Sequence, residues 1–118
     1  MLSDVVREKA LELAEEIKSL AEYREFLECE RELKEDIVAQ ELLLDFQKKQ
    51  QEFVVKQMSG EFDQNLMNEL TEIQAKLNAR ESVVKFIESY NRLLAVIGEL
   101  MDLISEKIEL DIGEVYRR

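Results

Sequence analysis

The chain has no histidine, no proline and no tryptophan, and it holds one cysteine and three glycines among 118 residues. Without histidine, a serine–histidine–carboxylate triad, a histidine zinc site and the Glu-x-x-His signature of di-iron bundles are all excluded. The lone Cys29 cannot form an internal disulfide, so nothing points to an oxidising compartment. Its neighbours Glu28 and Glu30 disfavour a thiolate, which makes a structural role the expected one. No glycine-rich phosphate loop and no Gly-x-Ser-x-Gly elbow is present. The sequence therefore reads as a non-enzyme without a cofactor or a metal.

Long apolar runs are missing too. The run Leu93–Gly98 is closed by Glu99, far short of the roughly 20 residues that cross a bilayer. Met1-Leu2-Ser3-Asp4 lacks the basic stretch and apolar run of a secretory signal, so a cytoplasmic protein is expected.

What is present is charge and helix-forming residues. The formal charge is −11, from 27 acids and 16 bases. Residues 1–36 carry 12 acids and 6 bases, residues 37–60 carry 3 of each, and residues 61–118 carry 12 and 7. Such a surface repels nucleic-acid phosphates and anionic membranes, so neither is expected as a direct partner. Acid pairs four apart, such as Glu8/Glu12 and Glu28/Glu32, share helical faces with Lys9, Arg24 and Arg31 between them. They read as solvated surface.

The pattern predicts an all-α fold: an antiparallel helical bundle or hairpin of four to five helices, two of them long. One domain is expected over 1–118. It comprises short N-terminal helices over 1–34, a long helix over 36–59, a helix over 63–78 and a long C-terminal helix over 79–111. Ser3, Asp36 and Asp63 are candidate N-caps, and Ser59-Gly60 a helix stop. Ser19 with Glu22, and Asn78 with Glu81, match capping boxes that would start the second and last helices. An unbroken helix from Asp63 to Ile108 is the competing reading. Short connections make neighbouring helices antiparallel, and the third and last helices are expected to form the body of the hairpin.

The strongest signal is a ladder of Val83, Ile87, Tyr90, Leu94, Ile97, Met101, Ile104 and Ile108, spaced alternately by four and three. This places one apolar stripe along a single helix. Phe86, Leu93, Leu100, Val96 and Leu103 widen it beyond what one neighbour covers. A homodimer is expected, since two-fold pairs are the commonest assembly. Its interface is expected to hold Ile87, Tyr90, Leu94, Ile97, Gly98, Met101 and Ile104, with Phe46 and Phe53 opposing them. Gly98 reads either as a close helix crossing or as a tolerated gap. Polar Gln47–Gln51 interrupts an apolar face. With Lys48, Lys49, Gln50 and Lys56 it is either a partner patch or a helix overhanging its bundle. Tyr116-Arg117-Arg118 is expected to fray.

Three stretches carry a family resemblance: Asp36…Leu42-Leu43…Phe46, Lys56-Gln57-Met58-Ser59-Gly60-Glu61, and Leu77-Asn78…Val83-Val84…Phe86. Together they resemble the YlbF/YmcA family of small acidic helical bacterial proteins, over about residues 5–110, with the Gln-Met-Ser-Gly turn nearer its YheA-like branch. The resemblance implies a regulatory role in competence, biofilm formation and sporulation, through protein partners that include an RNA-processing complex. It also implies iron–sulfur clusters held by cysteines. One thiolate cannot supply the four ligands of an ordinary cluster, so that property does not carry over to this chain alone. The residues and the resemblance together predict a non-catalytic protein acting through protein–protein contacts. The alternative is a helical sensor that binds a small apolar molecule between helices.

Overall fold

The computed structural model describes residues 1–113. It contains five helices: α1 (Asp4–Lys18), α2 (Ala21–Glu35), α3 (Ile37–Met58), α4 (Gln64–Asn78) and α5 (Glu81–Ile108). No strand occurs among the described residues. The Tyr116-Arg117-Arg118 end lies outside them.

The helix boundaries follow local chemistry. Ser3 accepts from the Val6 amide at 3.2 Å, Asp36 from Ala39 at 3.2 Å and Asp63 from Leu66 at 3.0 Å. Each satisfies a first-turn amide that has no partner within its helix. At the end of α3, Gly60 adopts φ 80°, the Glu61 amide reaches the Lys56 carbonyl and the Gly60 amide reaches Gln57. This paired closure is the glycine-dependent Schellman ending.

Two caps differ from expectation. Ser19 closes α1 instead of opening α2, and its hydroxyl donates to the Glu15 carbonyl. Asn78 is the last residue of α4, where its side-chain oxygen accepts from Gln74 at 3.2 Å. The break before α5 falls at Ala79-Arg80, and the Arg80 carbonyl accepts the Val83 and Val84 amides. A short polar side chain can bond back to the preceding turn as well as forward, so spacing alone does not settle which helix it serves. The helix α5 stops at Ile108, where Glu109 takes φ 58° and the Leu110 amide reaches Ser105.

The chain divides into two compact units. One comprises Cys29–Ile87 and is built on α3 and α4. Its core has two clusters: Ala39, Ile73, Leu77 and Val83, then Phe53, Leu66 and Leu70. Half-buried Phe46 packs against both. Ala39 meets Leu77 near the start of α3 while Phe53 meets Leu66 near its end, so the pair is antiparallel. The partner of α3 in this hairpin is α4, not the last helix as expected. The Ser59–Asp63 connection is too short to carry the chain elsewhere, and Leu66, Leu70, Ile73 and Leu77 supply a matching stripe. Fully burying such a side chain stabilises by roughly 1.5–3 kcal/mol before entropy is subtracted.

The other unit comprises Met1–Glu28 and Glu88 onward. Here Arg92 donates to Glu25, and the Phe26 and Tyr90 rings lie 5.9 Å apart, tilted by 44°. Leu13, Ile17 and Leu20 of α1 share a gap of about 190 Å³ with Val96, Ile97 and Leu100 of α5. Helix α1 has no buried residue. Among the described residues of this unit no large hydrophobic side chain is fully buried.

Candidate functional site

The chemistry-bearing side chains of the Cys29–Ile87 unit are engaged in holding the fold. Asp36 caps α3 with one carboxylate and also receives the Arg80 guanidinium through two bonds of 2.9 Å, together with the Ser82 hydroxyl. The bonds from Arg80, then the one from Ser82, hold the Asp36 carboxyl far below the ordinary carboxylate range. The same pairing raises Arg80. Two parallel N–H···O bonds are the strong, directional form of this contact. It joins the start of α3 to the start of α5, 44 residues apart. No local sequence signal marks Arg80 for this role, because its partner is remote in the chain.

A second carboxylate works similarly. Lys56 donates to Asp63 at 2.7 Å across the α3–α4 turn. That bond lowers Asp63, which also accepts the Leu66 amide, and it raises Lys56. Lys49 is bound to Asp45 at 2.8 Å and is raised by that bond. Two of the three lysines read as a partner patch are therefore spent on neighbours, while Lys48 and Gln50 are exposed. The Gln47–Gln51 segment does not overhang its bundle. Phe46 and Phe53 on either side of it pack against α4.

Above this segment lies a groove of about 660 Å³ on the α3–α4 hairpin. Its lining includes the buried or half-buried Phe46, Phe53, Met67 and Leu70 and the exposed Val54, Gln50, Gln57, Gln74 and Asn78. None of its lining residues is charged, in a chain where charged residues make up 36%. Its walls can take an apolar, uncharged occupant and offer nothing to an ion.

The ladder on α5 is divided in its surroundings. Val83 is buried in the α3–α4 core, and Ile97, Gly98 and Met101 are half-buried. Ile87, Tyr90, Leu94 and Ile104 remain exposed, Leu94 at 47% and Ile104 at 39%. A Cβ built on Gly98 meets nothing within 4 Å. Ser89, on another face of α5, is buried. Phe53 is taken up in the hairpin core at 8% exposure, and Phe46 is half-buried beside it.

Cys29 is free and buried. Among the described residues no cluster of three or more acidic or cysteine side chains could hold a metal ion, and no helix is long and apolar enough to cross a membrane.

Residues 6–109 match the family described as control of competence regulator ComK, YlbF/YmcA. The chain belongs to this family. Among similar sequences, a UPF0342 protein of Shouchella clausii (strain KSM-K16) is 26% identical over 108 residues, covering 91% of this chain and 92% of that protein. A UPF0342 protein of Desulfitobacterium hafniense (strain Y51) is 28% identical over 104 residues, covering 87% and 84%. The fold is shared with a chain in the crystal structure of Bacillus subtilis RicA in complex with RicF. The TM-score is 0.76 and the identity 22%, with 98% of this chain and 99% of that chain covered.

Proposed function

We propose that this YlbF/YmcA-family chain is a non-catalytic regulatory protein that acts through protein–protein contacts, with the α5 ladder as its principal contact face. The observation that carries the reading is the open apolar surface of the unit that holds most of α5. Leu94, Leu103, Ile104 and Ile108 stay between 39% and 60% exposed, while in the Cys29–Ile87 unit the α4 stripe of Leu66, Leu70, Ile73 and Leu77 is buried. A cluster of exposed apolar side chains on a folded chain marks an interaction site. The first partner is a second copy, giving a cytoplasmic homodimer. Further protein partners, an RNA-processing complex among them, are part of this reading; it is supported by the shared fold with a chain of the RicA complex with RicF.

Sedimentation of wild type beside Leu94→Asp tests this. The reading expects a dimer at micromolar concentration for wild type, and a monomer of unchanged helix content for the variant. A monomeric wild type contradicts it. A tagged pull-down from the host lysate then tests the adaptor role. Partners captured by wild type and lost with Leu94→Asp support it, and recovery of equal partners with both proteins does not.

A further inference from the structure

Resting on that reading, we infer that the α5 ladder of one copy is received by the α3–α4 groove of a second copy, reciprocally, around a two-fold axis. Three observations converge on this pairing of groove and ladder.

The first is charge. Each chain carries −11, so two copies repel on average, and an uncharged surface is where that repulsion opposes contact least. The groove has no charged lining residue. Flanking the ladder on both sides, Val84, Phe86, Asn91, Leu93, Gly98, Leu100 and Ser105 are likewise uncharged, and the first charge at these positions is Lys107, beyond the Tyr90–Met101 stretch. A two-stranded coiled coil usually carries charged residues at these flanking positions to choose its partner. Their absence fits a helix lying in a broad apolar groove instead of on a single opposing helix.

The second is length. The α3 side of the groove runs from Phe46 to Gln57, eleven residue steps, or roughly 16 Å at the rise of an α-helix. The centre of the ladder, Tyr90 to Met101, in which Tyr90 and Leu94 are exposed, has the same span. The third is depth. Gly98 lies inside that centre with open space where a side chain would stand, so the ladder helix can settle low against the exposed amides Gln50 and Gln74. An amphipathic helix laid into an apolar groove is a recurring recognition mode. In a two-fold pair the groove of each copy holds the helix of the other, so no surface is left to propagate a filament.

The test is cross-linking between differently tagged copies, with cysteine placed at Gln50, Gln57 or Gln74 in one copy and at Leu94 in the other. Buried Cys29 stays in place, and a short bismaleimide joins the pair. The groove-and-ladder pairing expects a mixed product from at least one groove position and none from Leu94→Cys alone. It also expects Gln50→Glu to raise the dimer dissociation constant by more than about tenfold, because a charge is desolvated without a partner. Self-linking of Leu94→Cys, or a dimer that yields no mixed product, overturns this inference and leaves self-association standing. A monomeric mass at every concentration overturns both. A monomer whose melting temperature rises with dodecanol gives the groove to a small apolar molecule, and overturns the pairing as well.

Discussion

The two units of this chain use the same kinds of side chain to opposite ends. In Cys29–Ile87, Leu66, Leu70, Ile73 and Leu77 lie at 4–7% exposure against Ala39 and Phe53. In the unit that holds most of α5, residues as apolar and as regularly spaced remain half-exposed, with Leu94 at 47%. Periodicity is equal in both. What differs is whether the chain supplies the opposing surface. The α3–α4 hairpin closes on itself through a short turn and a bidentate clamp. The ladder has α1, itself without a buried residue, the gap beside Leu13, Ile17 and Leu20, and Phe26 of α2 beside Tyr90. A self-sufficient core carries stability, and an unfinished one carries association.

The sharpest way to break that contrast is to truncate one side chain in each unit. Leu77→Ala, at 4% exposure, is expected to cost about 2–5 kcal/mol in urea unfolding. Leu94→Ala is expected to cost under about 1 kcal/mol in the monomer, since its site already faces solvent, yet to weaken self-association. Equal losses in the two variants would erase the distinction between the units.

Next comes the clamp. Asp36→Asn removes the charge that binds Arg80 while keeping a capping oxygen. The chain is expected to be clearly less stable at neutral pH than wild type, by more than an exposed exchange such as Glu41→Gln. The pH dependence carries the same signature. Asp36 and Asp63 are held below the ordinary carboxylate value of 3.8. Their contribution is therefore fully present above that value and is lost as pH falls through the lower folded-state values. Thermal unfolding followed from pH 5 downward is expected to show an acid decline that is shallower in Asp36→Asn. Parallel curves would remove Asp36 from the account.

Two glycines give the smallest effects, with opposite signs. Gly60→Ala meets no atom within 4 Å but holds φ 80°, so it is expected to lose about 1 kcal/mol through backbone strain alone. Gly98→Ala also meets nothing within 4 Å, but it stands inside a helix. The monomer is expected to gain up to about 1 kcal/mol, while the dimer weakens if a partner helix occupies that space. A monomer destabilised by Gly98→Ala would contradict the open surroundings seen here.

The sequence made the helices legible because caps are local. Ser3, Asp36, Asp63 and Gly60 each act within a few residues, and the absence of proline leaves the intervening stretches helical. Ser19 and Asn78 end one helix where spacing predicts the start of the next, since a short polar side chain serves either role as readily. Pairing was less legible. The long, regular α5 stood out as the natural mate of α3, whereas the turn at Gly60 hands that place to α4. The Asp36–Arg80 clamp spans 44 residues and leaves no trace in any window. The ladder was plain in its spacing, but spacing records which residues are apolar and not what covers them.

Hydrogen exchange across a dilution series tests the central claim most directly, with amides of 88–108 read beside those of 37–78. At dilutions where the mass is monomeric, the account predicts rapid exchange over 88–108 and retained protection over the α3–α4 hairpin. Protection of 88–108 should then return as concentration rises and dimer forms. Equal protection of both segments in the monomer would contradict it, because the ladder would then be stabilised within a single chain.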